Sequence, residues 1–432
     1  MLRFDEGNRV IRSEEHTAIL AGVDTGEDIS YSMQELGSLA GAAGIRVDGM
    51  LVQNLDAAHP GTYLGKGKMT ELAELCRNMD ADLVIANDEL TGTQLRNMEQ
   101  ALSVSVIDRT MLILDIFASR AMSREGKLQV EMAQLQYRLP RLSGLGKALS
   151  RLGGGIGTRG PGEKKLETDR RHIERRIRDI TREMRRHRQH RGVRRARSDR
   201  SGLPIVALTG YTNSGKSSVM NRFLSMAERD DVQVEQKDLL FTTLDASRRL
   251  ITLADRSRFL LIDTVGFVSK LPHTLVEAFH STLEEVVDAD LLLHVADASF
   301  PDVDFHIDVT RSVLTELGAG DKPTLLLFNK VDLAPDFSAL AYGPHAYAVS
   351  AKTGQGFDAL LPRIRDMLWS DRVETDVLIP YDRGDLVSYL CAKMTPARIA
   401  HTETGTRMSV ALSAEDRKRF SPYLAPKEPD VP

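Results

Sequence analysis

Cysteine is almost missing: Cys76 and Cys391 are the two in 432 residues, far apart and without partners at metal-ligand spacing. That excludes a disulfide-stapled scaffold and a thiolate metal centre, and it fits a reducing compartment. Long apolar runs are missing too, since no stretch approaches the ~20 residues that span a bilayer. The opening residues Met1 to Asn8 are charged instead of carrying a signal-peptide core. The expectation is a soluble, cytoplasmic, monomeric chain with no membrane partner. His59, His273, His294 and His306 show no metal or triad spacing and read as ordinary core or surface residues. Lysine is absent from Arg170 to Arg200, which holds fourteen Arg against Glu174, Asp179, Glu183 and Asp199. The segment therefore carries +10, which leaves −14 for the rest of a chain whose net charge is −4. Arginine at this density favours phosphate recognition over a merely solvated helix face, because guanidinium forks pair with phosphate oxygens.

What is present reads as α/β. Helical spacing over Met33 to Ala40, Met69 to Met79 and Thr91 to Ala101 alternates with strand-like Ile45 to Val52, Ala81 to Ala86 and Val104 to Ile107. This pattern predicts a small α/β domain with a parallel sheet, residues 1–122. From Arg124 a stripe of Leu128, Met132, Leu135 and Leu139 predicts a helix stopped by Pro140. Leu166, Ile173, Ile177, Ile180 and Met184 form a second stripe, so an antiparallel helical hairpin is expected over 123–200. Its tip, Gly153 to Gly162, has six glycines and a proline and should be neither helix nor core. Gly153, Gly154, Gly155, Gly157, Thr158, Arg159 and Gly160, with Arg170, Arg171 and Arg175, are the candidate nucleic-acid contacts.

A P-loop domain is expected over 201–372, and a small α/β domain over 373–432, where Val377 to Tyr381, Gly384 to Met394 and Thr406 to Leu412 read as strand, helix and strand. Behind the strand-like Leu203 to Leu208 comes Gly210-Tyr211-Thr212-Asn213-Ser214-Gly215-Lys216-Ser217, the pattern of a phosphate cradle. Lys216 can reach β- and γ-phosphates, and Ser217 can hold Mg²⁺. Phe241-Thr242-Thr243-Leu244-Asp245 suits a first switch, with Thr243 the second candidate Mg²⁺ ligand. Asp263-Thr264-Val265-Gly266 follows an apolar strand, where a carboxylate can hold a metal-bound water and a glycine N–H can sense the γ-phosphate. Asn329-Lys330-Val331-Asp332 ends another strand, and Asp332 can accept from the N1–H and 2-amino group of guanine, donors that adenine lacks. Ser350-Ala351-Lys352 can offer a backbone N–H to the guanine carbonyl. In this order at successive strand ends, the set predicts GTP and GDP binding with Mg²⁺. Phe267 stands where many such enzymes carry a water-orienting glutamine, which predicts slow intrinsic turnover raised by a partner.

Thr62 to Lys68, Val106 to Thr110, Glu125 to Glu131, Gly155 to Glu163 and Asp263 to Phe267 together resemble the HflX family of bacterial GTPases, over nearly the whole chain. The resemblance implies a Mg²⁺-dependent GTPase that binds the large (50S) ribosomal subunit, with the N-terminal domain and hairpin facing ribosomal RNA, and that splits or rescues stalled or idle ribosomes. A large-subunit assembly factor, or a switch acting on a protein partner, remains the alternative. Lys164, Thr242 and Ala246 depart from the family pattern and bear on first-switch geometry.

Overall fold

A computed structural model describes residues 16–26, 29–149, 161–199, 203–227, 247–253, 257–270, 285–370, 372–394 and 396–426. Contacts divide the chain into two compact units. One holds Met1–Arg200, Lys237–Asp245 and Val265–Glu284; the other holds Ser201–Gln236, Ala246–Thr264 and Glu285–Pro432.

The first unit begins with β1 (Thr17–Asp24), α1 (Ser30–Ala42), β2 (Arg46–Asn54), α2 (Lys66–Asn78), β3 (Leu83–Ala86), α3 (Gly92–Leu102) and β4 (Ser105–Asp108). All four strands are parallel in the order β2-β1-β3-β4. The interior strand β1 is absent from the sequence expectations. Its residues 18–23 are all buried, so it shows no alternation, as befits a parallel strand covered on both faces. Thr91 and Gln94 close a reciprocal capping box that starts α3 where the pattern places it. Lys66 and Gly67, in the glycine-lysine patch, form the first turn of α2.

Next come α4 (Arg109–Arg120), α5 (Arg124–Leu149) and α6 (Pro161–Asp199). The last two form the antiparallel pair: Leu128, Ile180 and Met184 are buried together, and Met132 and Leu135 pack on them. Arg124 pairs with Glu183 at 2.5 Å and Arg176 with Glu131 at 2.6 Å along the seam. Two expectations are corrected here. The first helix does not stop at Pro140 but runs through it. A proline removes the ladder bond to the carbonyl four residues back, and the turn around it is held by tertiary bonds: Arg141 Nη2 donates to Glu89 and to the Leu90 carbonyl at 2.9 Å, and the Tyr137 hydroxyl donates to Asp108. Pro161 and Gly162 open α6 instead of belonging to a non-helical tip, because proline at the first helical position forfeits no intrahelical bond. In the same unit, Ser269 Oγ donates to Glu35 at 2.5 Å and accepts from Arg109 at 3.0 Å, while Lys270 meets Asp88 at 2.6 Å.

The second unit holds β5 (Ile205–Thr209), α7 (Lys216–Met226), β6 (Ser247–Thr252), β7 (Arg258–Asp263), β8 (Leu291–Asp297), α8 (Val303–Glu316), β9 (Thr324–Asn329), β10 (Ala346–Ala348) and α9 (Phe357–Leu368). The strand order is β10-β9-β8-β5-β7-β6, parallel except for edge strand β6. Leu291 to Ala296 of β8 are all buried, as expected of an interior parallel strand. Phe223 of α7 meets Phe259 of β7 and Phe357 of α9 edge-on, with ring centroids at 6.3 and 5.5 Å, and so locks helices to sheet. An antiparallel sheet β11-β13-β12 follows, from β11 (Val373–Ile379), β12 (Arg398–Thr402) and β13 (Gly405–Leu412), with α10 (Gly384–Lys393) and α11 (Ala414–Arg419). The edge strand β12 has no buried residue and left no apolar period to read. Among the described residues, no helix is long and apolar enough to cross a membrane.

Candidate nucleotide-binding site

The site grows from the C-terminal ends of β5, β7, β8 and β9, where open parallel sheets present their loops. After β5 the chain turns on Gly210 and Gly215, with φ of +141° and +92°; a Cβ would come within 2.1 Å of the Val295 carbonyl at the first and 2.2 Å of Asn329 Nδ2 at the second. Only glycine admits this close approach at positive φ. Gly215 then caps α7, so Lys216 and Ser217 form its first turn, where helix geometry aims backbone N–H groups toward an anion.

Lys216 is 7% exposed, and its ammonium donates to the Gly210 and Tyr211 carbonyls at 3.1 and 2.7 Å. Burial pushes its pKa down to about 8; Asp263 opposes this and Lys330 adds to it. Ser217 Oγ donates to Asp263 Oδ2 at 2.7 Å, bringing two hard oxygen donors together at the helix start. That donor chemistry fits Mg²⁺. Thr264 Oγ1 donates to the Leu208 carbonyl at 2.6 Å and ties the end of β7 to β5. Ser214 Oγ is buried and has no hydrogen-bond partner among the described residues.

Beside the loop, the amide of Asn329 bridges two motifs: Nδ2 donates to the Ser214 carbonyl at 2.9 Å, and Oδ1 accepts from Ala351 N at 3.0 Å. Ser350 Oγ donates to Asp332 Oδ1 at 2.6 Å, which holds that carboxylate in place. Lys330 takes a left-handed φ of 66° and pairs with Asp297 at 2.7 Å. Thus Gly210 to Ser217, Asp263, Thr264, Asn329 to Asp332 and Ser350 to Lys352 meet in one unit, although they come from widely separated strand ends. Val265, Gly266 and Phe267 come next in the sequence and belong to the other compact unit, where Val265 and Phe267 are buried. Phe241, Thr242, Thr243, Leu244 and Asp245 lie outside the described residues, as do Gly153, Gly154, Gly155, Gly157, Thr158, Arg159 and Gly160. Arg170, Arg171 and Arg175 are exposed on α6, the first two paired with Glu174 and Glu167 at 2.9 and 2.6 Å.

Three neighbours escaped the motif reading. His306 of α8 stacks on Tyr211 of the loop at 3.8 Å and on Phe300 at 4.0 Å, and burial holds its pKa down to about 4. Asp297 partners Lys330; an aspartate at the end of an apolar strand was the available signal. Arg222 of α7 reaches the Ala351 and Lys352 carbonyls, and nothing in its local sequence marks it.

Three family models cover most of the chain: a GTP-binding GTPase N-terminal region over 30–118, a GTP-binding GTPase middle region over 120–198, and a 50S ribosome-binding GTPase over 205–330. The chain is 45% identical over 413 residues to the GTPase HflX of Caldanaerobacter subterraneus, covering 96% of this chain and 94% of that one. To the GTPase HflX of Escherichia coli it is 40% identical over 361 residues, covering 82% and 83%. A crystal structure of a GTP-binding protein from Sulfolobus solfataricus in complex with GDP aligns with TM-score 0.43 at 23% identity, covering 82% of this chain and 98% of that one.

Proposed function

Because the chain belongs to the HflX family of GTPases and is a GTP-hydrolysing enzyme, we propose that it is a Mg²⁺-dependent GTPase that binds the 50S subunit and acts in splitting or rescue of stalled or idle ribosomes. The observation that carries the nucleotide chemistry is the convergence of Lys216, Ser217 and Asp263 at one helix start with Asp332, Ser350 and Ala351 beside it. In this reading the Gly210 to Ser217 amides and Lys216 cradle the phosphates. Ser217 and Thr243 would hold Mg²⁺ with the Asp263 carboxylate beside it, and the Gly266 N–H would meet the γ-phosphate. When bound, Mg²⁺ neutralises charge that develops between the β- and γ-phosphates. Asp332 selects guanine, and the Ala351 N–H meets its carbonyl.

Water attacks the γ-phosphate in line, and Lys216 with the loop amides stabilises the charge of the transition state. Phe267 offers no hydrogen bond to that water, so turnover of the free enzyme is slow and the partner completes the site. The matched description of a 50S ribosome-binding GTPase, together with the Arg-rich α6, supports the large subunit and its RNA as that partner. The division of labour follows the four parts read from sequence: 1–122 and the hairpin 123–200 toward RNA, 201–372 for nucleotide, and 373–432 appended. In the cell the protein is cytoplasmic and associates with ribosomes. The test is GTP turnover with and without purified 50S subunits; an unchanged rate at saturating subunits refutes the ribosomal assignment.

A further inference from the structure

We propose that Arg222 is a positioning residue for guanine selection, setting the loop that offers the Ala351 N–H to the 6-oxo group of the base. The inference rests on the reading of Asp332 and Ala351 as base contacts and adds a determinant outside every nucleotide motif. Arg222 lies two turns into α7, the helix that begins with Lys216 and Ser217. Its Nε donates to the Ala351 carbonyl at 2.9 Å and its Nη2 to the Lys352 carbonyl at 2.7 Å. The rigid guanidinium fork thus grips two successive peptides and fixes their planes, which lysine with its single ammonium cannot do.

The loop is shaped to receive it. Gly354 has a φ of +90°, and a Cβ there would sit 3.3 Å from Arg222 Cζ and Nη1, so the absent side chain is what gives the guanidinium its place. Gly354 N donates back to the Ser350 carbonyl at 2.8 Å, closing the turn around the two gripped carbonyls. The Ala351 N–H belongs to the peptide just before the gripped pair: the Ser350 carbonyl of that peptide is held by Gly354 N, and its N–H meets Asn329 Oδ1 at 3.0 Å, so a base carbonyl that reaches this N–H shares it with Asn329. Phosphate helix and base loop therefore share one frame: a guanine whose phosphates sit on α7 meets an amide whose position α7 dictates.

The test measures the dissociation constants of fluorescent GDP and ADP on the full chain for wild type, Arg222→Met, Arg222→Lys and Gly354→Ala. Methionine keeps the apolar stem and removes both donors. Arg222→Met should weaken GDP about tenfold and leave ADP unchanged, since ADP draws on the phosphate loop alone, so that the GDP-over-ADP preference falls about tenfold. Arg222→Lys should recover part of the loss. Gly354→Ala should reproduce it from the loop side, even if the arginine variant folds poorly. At saturating GTP, kcat should stay within twofold while KM rises. GDP and ADP weakened equally, or a GDP preference unchanged in both Arg222→Met and Gly354→Ala, overturns the assignment as a merely structural role. A wild-type chain that binds ADP as tightly as GDP overturns the base reading and this inference together.

Discussion

Lys216 makes the nucleotide site sensitive to pH in a direction the structure specifies. In the absence of phosphate, its ammonium is buried against two carbonyls, and its pKa falls from an ordinary 10.5 to about 8. Phosphate charge beside it favours the ammonium and raises that pKa again, so binding above pH 8 must take up a proton. The sign follows: affinity is fully present below the free-state pKa and is lost as pH rises through it. With a pKa of about 8, roughly nine-tenths of the free protein is charged at Lys216 at pH 7 and about one-tenth at pH 9. GDP affinity should therefore fall about tenfold between pH 7 and pH 9, equivalent to about 1.4 kcal/mol. Titration calorimetry in two buffers of different ionisation enthalpy reads the linked proton directly: about 0.9 taken up per GDP at pH 9 and about 0.1 at pH 7. Lys216→Arg, whose charge persists at both pH values, serves as the control for titration of the nucleotide itself. Equal proton uptake in wild type and Lys216→Arg at pH 9 would show that Lys216 stays charged in the free protein and would refute the argument.

Asn329→Ala removes the bond to the Ser214 carbonyl and strands the Ala351 N–H in a site where Asn329 is 2% exposed. A loss of about 2–4 kcal/mol in GDP binding is expected by fluorescence titration, and a change under threefold would show the bridge is idle. His306→Ala breaks the Tyr211–His306–Phe300 stack; about 0.5–1.5 kcal/mol per ring pair predicts several-fold weaker binding of both GDP and GTP, restored by His306→Phe. Since burial holds His306 down to about 4, the wild-type pH profile should lack a histidine step near 6.5. Charge reversal at Arg170, Arg171 and Arg175 should reduce co-sedimentation with 50S subunits and flatten its salt dependence, while thermal stability barely moves because exposed ion pairs contribute little.

Much of this was readable before any coordinates. The P-loop octet, the aspartate that ends β7, the tetrad that starts with the last residue of β9 and the Ser350 loop each follow an apolar run, and their order along the chain specifies their meeting at one end of the sheet. The hairpin was legible for the same reason: Leu128, Ile180 and Met184 keep a helical period, and a stripe of this kind needs a facing stripe to bury it. Where period fails, reading failed. Residues 18–23 of strand β1 are all buried, and β12 has no buried residue, so neither alternates. Local chemistry at Pro140 favours a stop, yet the helix is carried through by contacts a local window does not contain, from Arg141 to Glu89 and the Leu90 carbonyl and from Tyr137 to Asp108.

The sequence by itself therefore determined most of the elements and the order of the nucleotide motifs along them, because those depend on spacing within a few residues. The tertiary structure decided what supports them. Arg222 lies 129 and 130 residues from the carbonyls it grips, and His306 lies 95 from the tyrosine it stacks on. Such pairings arise only when separate strands are laid side by side, so no local pattern can encode them.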